Sequence, residues 1–342
     1  MPAYEIRAAS PADEDQLYQV ARHLNTVNLP HDRAKIRELL EVSQKSFTGE
    51  LDPKRREYVF VLRDLTKDAV IGTSMVISQL GRRDAPYIYF DVFEEEKYSA
   101  TLDKHFSHTV LRIGYSYNGP TEIGGLILLP EYRRVPERLG QFLSYVRFLY
   151  IGAHRNFFRD EVLAELLPPL EADGTSHLWE ALGRKFTDMS YAEADVLSKR
   201  NKEFIKQLFP EGVVYASVLS REAQDVIGKV GAQTKGVEKL LRRIGFRYAH
   251  RVDPFDGGPH FTAMTDEITL VGATKRTRVA SVTSEASLKH RGLVAVDQPG
   301  PPHFRAVLGG VGGDASGAII GDRAAAHLGV GPGDEVVTLP LD

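Results

Sequence analysis

Cysteine is absent from this chain of 342 residues, and that absence excludes three kinds of chemistry. Disulfide bridges, thiol nucleophiles and thiolate metal ligands all require the sulfur of cysteine. The chain also lacks a basic excess, because 43 Lys and Arg stand against 46 Asp and Glu. Such a composition does not supply the phosphate neutralisation that nucleic-acid binding requires, so we expect no nucleic acid as a partner.

Long hydrophobic runs are absent as well. No apolar stretch approaches the ~20 residues of a membrane span. The opening sequence MPAYEIRAASPADEDQ carries acids where a secretory signal has a basic end and an apolar core. We therefore predict a cytoplasmic protein with no membrane partner. The histidines form no H-x-x-x-H pair and the acids no clustered pattern, so we predict no metal site.

The composition that is present is typical of globular proteins, with 42% hydrophobic and 26% charged residues. The length predicts two domains, or one large body with an appendage. Beyond about residue 266 the only aromatic residue is Phe304, and turn signals stand at DQPGPP, GGVGGD and VGPGDE. We predict one domain over residues 1–265 and a small β-rich domain over 266–342.

Local patterns predict a mixed α/β fold. YEIRAA is typical of a strand, and the following helix begins at Ser10 and presents Leu17, Val20 and Ala21 on one face. A second helix is predicted over residues 32–43, and REYVFVLRD with DAVIGTSMVISQL predicts an antiparallel hairpin. Farther along, EIGGLILLPEYRRVPERLGQFLSYVRFLYI predicts a strand, a basic turn and a helix. A mostly helical stretch is predicted over residues 159–209.

Four longer segments carry a resemblance: SFTGELDPKRREYVFVLRD, LWEALGRKFTDMSYAEADVLSKRNKEFIKQLFP, REAQDVIGKVGAQTKGVEKLLRRIGFRY and DPFDGGP. Together they resemble the arginine N-succinyltransferase family from about residue 4 to residue 262. The resemblance implies an acyl-CoA N-acyltransferase-like fold, whose mixed, mainly antiparallel sheet is flanked by helices. It implies succinyl transfer from succinyl-CoA to the α-amine of arginine, in arginine catabolism. It implies no permanently bound cofactor, with succinyl-CoA or another acyl-CoA as co-substrate.

The strand–turn–helix segment is the predicted donor site. In acyltransferases of this fold a main-chain N–H on the central strand meets the thioester carbonyl, and the helix N-terminus binds pyrophosphate. The resemblance assigns acyl-CoA contact to Leu126, and the turn adds four candidates: Arg133, Arg134, Arg138 and Gly140. The family's glycine-rich turn is replaced here, since Pro136 removes an amide donor and Glu137 adds a carboxylate. The alternative, which the sequence favours equally, is that this segment only begins a helix and does not bind pyrophosphate.

Proton transfer is the step in which the chain departs most from the family. The resemblance places the family's proton-donating histidine at Gly231, which cannot transfer a proton. Glu122 and Tyr215 match family residues, and could accept the amine's proton and protonate the leaving thiolate, respectively. The alternatives are that Glu122 is a solvated acid at the end of a strand and that Tyr215 only contributes to packing. His250 and His260 are conceivable substitutes for the lost histidine, but we expect both to be solvated.

Three polar residues are candidates for binding the amine acceptor. Asn28 lies in VNLP where the family has TSLP, and Asp253 and Asp256 could match the planar fork of a guanidinium. The structural alternative is that Asp256, Gly257 and Gly258 form a tight turn.

Arginine N-succinyl transfer by direct amine attack is the leading hypothesis. The alternatives are a non-catalytic relative acting as a ligand-binding or partner subunit, and an acyltransferase with a different amine acceptor. Another copy of the chain or a related second subunit is the expected macromolecular partner.

Overall fold

Ser10 starts the first helical segment, as the sequence predicts. Its N–H donates to Oδ2 of Asp13 at 2.8 Å, and Pro11 occupies the first turn. The computed structural model describes residues 2–23, 29–83, 85–171, 174–198, 201–314 and 316–341.

Fifteen strands are found in the described residues. They are β1 (Tyr4–Ala8), β2 (Glu57–Asp64), β3 (Ala69–Ile77), β4 (Tyr87–Ser99), β5 (Lys104–Ser116), β6 (Thr121–Leu128), β7 (Glu161–Glu165), β8 (Val213–Tyr215), β9 (Arg247–Val252), β10 (Pro259–Met264), β11 (Lys275–Thr283), β12 (His290–Asp297), β13 (Phe304–Asp314), β14 (Gly317–Gly321) and β15 (Glu335–Leu341).

Ten α-helices accompany these strands in the same part of the chain. They are α1 (Glu14–Ala21), α2 (Arg33–Phe47), α3 (Leu139–Ala153), α4 (Arg184–Thr187), α5 (Tyr191–Ser198), α6 (Glu203–Leu208), α7 (Arg221–Val226), α8 (Lys235–Arg243), α9 (Thr269–Ala273) and α10 (Asp322–Leu328). None of these described helices combines the length and the apolar character needed to cross a membrane.

The chain divides into two compact units, each built from separated segments. Unit 1 comprises Met1–Gln79, Thr121–Asp160 and Thr265–Asp342, and unit 2 comprises Leu80–Pro120 and Glu161–Met264. The contacts thus group the β-rich C-terminal segment with the amino-terminal segment. The boundary between residues 265 and 266 stays a prediction.

Unit 1 contains an antiparallel sheet joined to a small barrel. β1 pairs with β2, β2 with β3, and β3 with β6, all antiparallel. On its other side β1 pairs with β13. The C-terminal strands close on themselves, because each pairs with the next in the order β12, β13, β14, β11, β15 and β15 pairs with β12. α3 packs on β3 and β6.

Unit 2 contains an antiparallel sheet in the order β7, β10, β9, β4, β5, β8. Its core includes Trp179, whose ring stacks on Phe255 with centroids 5.0 Å apart. The stacked pair fixes the turn that follows β9 against the helical part of the unit.

The fold class expected from the sequence is confirmed: the protein is mixed α/β, its strands are mainly antiparallel, and its C-terminal part is β-rich. The expectation of a mostly helical stretch over residues 159–209 is wrong at its start. β7 occupies Glu161–Glu165, with Val162 and Leu163 fully buried. Pro168 and Pro169 follow soon after, and adjacent prolines do not continue a helix.

Candidate functional site

A β-bulge lies on β6 at the leucine assigned to acyl-CoA contact. Met75 pairs with Gly124 and Thr73 with Ile127, so Gly125 and Leu126 together face the single residue between Thr73 and Met75. Gly125 has φ +56°, a left-handed conformation that favours glycine. A bulge interrupts the ladder and leaves main-chain groups of the extra residue without a strand partner. The bulge therefore gives Leu126 the kind of main-chain setting that a thioester carbonyl requires.

Glu122 lies four residues before Leu126 on the same strand. It pairs in register with Ile77, and only 7% of it is exposed. Glu122 is therefore buried, whereas the structural alternative describes a solvated acid at the end of the strand. Because the bulge interrupts the alternation of side chains, Glu122 is in register with Gly124 and Ile127 and not with Leu126.

The turn between β6 and α3 is held by a side-chain and a main-chain hydrogen bond. The guanidinium Nε of Arg133 donates to the carbonyl of Leu128 at 2.9 Å, and the N–H of Arg138 donates to the carbonyl of Val135 at 3.2 Å. Arg138 precedes α3 with φ +54°, in the left-handed region. An arginine thus adopts, at a cost of about 1–2 kcal/mol, a conformation that glycine adopts freely.

The arginines of this turn that are predicted to bind the acyl-CoA are exposed. Arg133, Arg134 and Arg138 reach solvent, whereas Gly140 is half-buried in the first turn of α3. A Cβ at Gly140 would meet its nearest neighbour at 3.7 Å, an ordinary contact, so its packing does not require glycine. The arginines leave three positive charges at a helix N-terminus, which is an arrangement that favours an anion.

In unit 2, the two predicted acceptor aspartates form the turn after β9. Oδ1 of Asp253 accepts the N–H of Phe255 at 2.7 Å, and Oδ1 of Asp256 accepts the N–H of Gly258 at 2.7 Å. Gly257 has φ +79°. One oxygen of each carboxylate therefore serves to form the turn, which is the structural alternative given above. Asn28, the third acceptor candidate, lies outside the described residues.

His260 lies in β10 directly after this turn and is completely buried. The expectation that it is solvated is wrong, whereas His250 is exposed. Nδ1 of His260 is 2.7 Å from the hydroxyl of Tyr87, and Nε2 is 3.5 Å from Oε1 of Glu165 on the paired strand β7. Oxygen atoms of Glu165 and Asp253 and a ring nitrogen of His260 lie within 4.8 Å of one another, a grouping that could also hold a metal ion.

Burial governs the electrostatics of this group. It lowers the pKa of His260 to about 3, with the positive charges of Arg251 and Lys202 acting in the same direction. It raises the pKa of Asp253 to about 6. Burial and the charge of Asp253 raise the pKa of Asp256 well above its ordinary value. Perturbed groups of this kind cluster at functional sites, because the shifts record charge held out of water.

Tyr215 is engaged by an acid elsewhere in unit 2. Its hydroxyl donates a hydrogen bond to Glu95, and this bond raises the pKa of the tyrosine. Its strand, β8, is three residues long and ends in a short 3₁₀ turn. A role for Tyr215 in protonating a thiolate would require its proton to leave Glu95, and it stays a prediction.

Gly231 occupies a place with no room for a side chain. Its N–H donates to the carbonyl of Leu167 at 2.9 Å. A Cβ built on Gly231 would lie 2.6 Å from the carbonyl oxygen of Pro168, closer than real Cβ contacts. Glycine therefore fits this main chain, and a histidine here would require the Leu167–Pro168 segment to move.

A separate cleft of about 390 Å³ in unit 2 has a basic lining. Lys229, Lys235 and Arg242 contribute its charge, and Nε of Arg242 is held by Glu238 at 2.8 Å. The cleft lies beside α8, and Asp253 and His260 do not line it.

Comparison with known proteins decides the family. A family model described as arginine N-succinyltransferase beta subunit matches residues 4–270, and the model of that subunit's C-terminal domain matches residues 275–340. The chain belongs to the arginine N-succinyltransferase family. The resemblance inferred from its longer segments is thereby confirmed.

Curated relatives match over nearly the whole chain. The arginine N-succinyltransferase of Yersinia pestis (strain Pestoides F) is 32% identical over 98% of this chain and 97% of that protein. The one from Escherichia coli O6:K15:H31 is 33% identical over 89% and 88%. Among solved structures, arginine/ornithine succinyltransferase subunit AI of Pseudomonas aeruginosa matches with a TM-score of 0.82, 25% identity and 99% coverage of both chains.

The sequence analysis missed two residues that lie beside His260. Glu165 was expected in a helical stretch, and no prediction covered the strand that contains Tyr87. The short apolar run EVLAEL before two prolines was a signal for β7, because prolines confine the run to strand length. The pairing of β7 with β10 joins residues 95 positions apart, as in Glu165 with His260, and it has no local signature.

Proposed function

We propose that the protein transfers the succinyl group of succinyl-CoA to the α-amine of arginine. The observation that carries this proposal is membership of the arginine N-succinyltransferase family over almost the full chain. The reaction would be the first step of arginine catabolism through succinylated intermediates. Succinyl-CoA is then a co-substrate, and no permanently bound cofactor takes part.

The bulge on β6 supports acyl-CoA binding. A thioester carbonyl gains negative charge when the amine attacks, and a fixed main-chain N–H stabilises that charge. Leu126 supplies such a group in this proposal, while Arg133, Arg134 and Arg138 supply the positive charge for the CoA phosphates at the start of α3. Because the turn lacks the family's glycines, the charged arginine side chains replace part of the phosphate binding that main-chain amides provide in the family.

Transfer occurs in one covalent step in this proposal, because the chain has no cysteine to carry the acyl group. The ammonium first loses one proton. Its nitrogen then forms a bond to the thioester carbon, the carbon–sulfur bond breaks, and the departing thiolate takes up a second proton from the amine nitrogen. The products are the amide, free CoA and one proton released overall.

Proton transfer cannot use a side chain at position 231. We propose instead that Glu122 and Tyr215 remain candidates for the acid–base role, with Glu122 supported by its place on the bulged strand. The assignment of the family's proton donor to position 231 is itself part of the proposal. A cytoplasmic location and assembly with another copy or a related subunit belong to the proposal as well, and the solved relative is named as a subunit.

Free CoA release tests the proposal directly. The purified chain is mixed with succinyl-CoA or acetyl-CoA and with arginine, ornithine or no acceptor, and a thiol reagent follows the CoA produced. Because the protein has no cysteine, it adds no thiol signal of its own. The expected result is arginine-dependent release that is fastest with succinyl-CoA, and mass spectrometry of the product should show succinyl on the α-amine.

Two other outcomes would replace the proposal. Faster release with ornithine than with arginine would establish a different amine acceptor. Saturable binding of succinyl-CoA without any release would establish a non-catalytic relative, which the crowded position of Gly231 favours.

A further inference from the structure

The two ring nitrogens of His260 have different surroundings. Nδ1 contacts the Tyr87 hydroxyl at 2.7 Å. Nε2 is buried, and no residue in the described part of the chain forms a hydrogen bond with it. Leaving a buried polar atom without a hydrogen bond costs about 1–3 kcal/mol, so such an atom is a candidate partner for a ligand or an ordered water.

Two carboxylates from different parts of unit 2 lie near the imidazole: Oε1 of Glu165 is 3.5 Å from Nε2, and an oxygen of Asp253 lies within 4.8 Å of a ring nitrogen. Glu165 ends β7 and is about one-third exposed, whereas Asp253 begins the turn after β9. Three atoms spaced within 4.8 Å of one another can all be reached from one nitrogen at hydrogen-bond distances of about 2.8–3.0 Å. A primary ammonium carries three N–H donors on one such nitrogen.

We infer that Glu165, Asp253 and His260 bind the protonated α-amine of the acceptor amino acid, each accepting one of its three N–H groups. This inference rests on the proposed function and deepens it by naming the residues that hold the nucleophile. Tyr87 acts as a positioning residue, because its contact with Nδ1 fixes the plane of the imidazole.

The charges around this site suit a cation. Asp195, Asp253 and Asp256 lie close enough to influence one another's ionisation, and Lys202 acts on Asp253 in the opposite direction. Burial holds the imidazole neutral, so its ring nitrogen can accept a hydrogen bond. A bound ammonium would lower the pKa of Asp253, which burial has raised, and would stabilise its charged form.

An ammonium fits this group better than a guanidinium does. A guanidinium is planar and is best bound by both oxygens of one carboxylate. Here Oδ1 of Asp253 already accepts two main-chain N–H groups, from Phe255 and Asp256. Three acceptors from three side chains instead match the three diverging N–H groups of an ammonium.

The test compares ligands with and without the amine. Arginine and 5-guanidinopentanoic acid, which lacks the α-amine, are titrated calorimetrically into the full chain in the presence of free CoA, so that no transfer can occur. Glu165→Gln and Asp253→Asn remove charge and keep an oxygen acceptor, so the turn at residue 253 retains its main-chain hydrogen bonds. Asp225→Asn, on the exposed helix α7 of the same unit, is the control with the same change in charge.

The expected result is a difference between the two ligands. Glu165→Gln and Asp253→Asn should each weaken arginine binding by about 10- to 100-fold and leave the amine-free ligand within about twofold. Asp225→Asn should change neither. His260→Asn keeps a polar group that can contact Tyr87. It should weaken the binding of arginine and leave the binding of the amine-free ligand unchanged.

Four results would overturn the inference. Equal weakening of both ligands would assign the group a structural role, and greater weakening of the amine-free ligand would assign it to the guanidinium. Tight binding of Zn²⁺ or Mn²⁺ that Glu165→Gln abolishes would assign it to a metal. The CoA-release assay separates this question from the proposed function, because normal release with unchanged arginine affinity in the variants rejects only the inference.

Discussion

The candidate donor region of unit 1 is built mainly from main chain, whereas the candidate acceptor region of unit 2 is built from side chains. Near the donor region, Gly125 bulges β6 and Arg138 adopts a left-handed conformation before α3. In the acceptor region, Glu165, Asp253 and His260 come from a strand end, a turn and a second strand. Ligand binding by main-chain groups tolerates changes of side chain, whereas ligand binding by side chains depends on the identity of each residue.

The two regions also differ in what their main chain allows. The turn before α3 contains arginine, proline and glutamate, and it leads into a 15-residue helix. In unit 2, the main chain at Gly231 lies so close to Pro168 that a Cβ there would require a shift.

Placing a histidine at position 231 should have the largest effect on stability. Gly231→His forces a side chain against the Pro168 carbonyl, and we expect a loss of about 3 kcal/mol in the free energy of unfolding, at the upper end for overpacking. Urea unfolding measures it. Gly236→Ala in α8, where a Cβ meets nothing within 4 Å, is the control and should be neutral or stabilising. A histidine variant as stable as the parent would show that the acceptor region has room for the lost proton donor.

Acidification should reveal the buried imidazole. The folded-state pKa of His260 is about 3, below its ordinary value near 6.5. The unfolded chain therefore binds a proton first as the pH falls below about 6.5, and folding loses stability. This single group should cost about 2 kcal/mol between about pH 7.5 and about pH 5.

The raised pKa of Asp253, about 6, acts in the opposite direction, since the folded state takes up its proton between about pH 6 and pH 4. The informative quantity is therefore the difference between the parent and His260→Asn at each pH. The parent should lose about 2 kcal/mol more than this variant on acidification. Equal losses would mean that the imidazole is hydrated, and would weaken the contrast between the two regions.

Glycine at position 138 should stabilise the donor region. Arg138→Gly removes the cost of a left-handed arginine, and we expect a gain of about 1 kcal/mol, measured as a higher urea midpoint. Arg134→Gly is the matched control, because it removes the same charge from the same turn, where φ is not positive. That variant should be no more stable than the parent. A destabilised Arg138→Gly would show that the arginine side chain, not the main chain, organises this turn.

The smallest expected effect concerns the acid in the same turn. Glu137→Gln removes a carboxylate from the start of α3, and succinyl-CoA should bind about two- to fivefold more tightly by calorimetry. Glu131→Gln, in the preceding 3₁₀ turn, is the control. Tighter binding in both variants would indicate a general charge effect instead of a contact near the phosphates.

The sequence was most informative where the relevant residues are neighbours in the chain. The strand and the helix around Leu126 follow from their apolar patterns, and the turn at Asp256 follows from its glycines. The φ of Arg138 could not be foreseen, because residue type favours the opposite conformation. The burial of His260 and its approach to Glu165 depend on the pairing of β7 with β10, which no local pattern records.

The most direct test of the account is a calorimetric titration of succinyl-CoA into the parent protein, with acetyl-CoA and free CoA as comparisons. We predict saturable binding with a preference for succinyl-CoA, and binding that is weaker but still saturable in Arg138→Gly, because this variant removes one of three positive charges and leaves the bulge and the helix start in place. The absence of binding to all three ligands would contradict it, and would reduce the turn at residues 133–140 to a helix start.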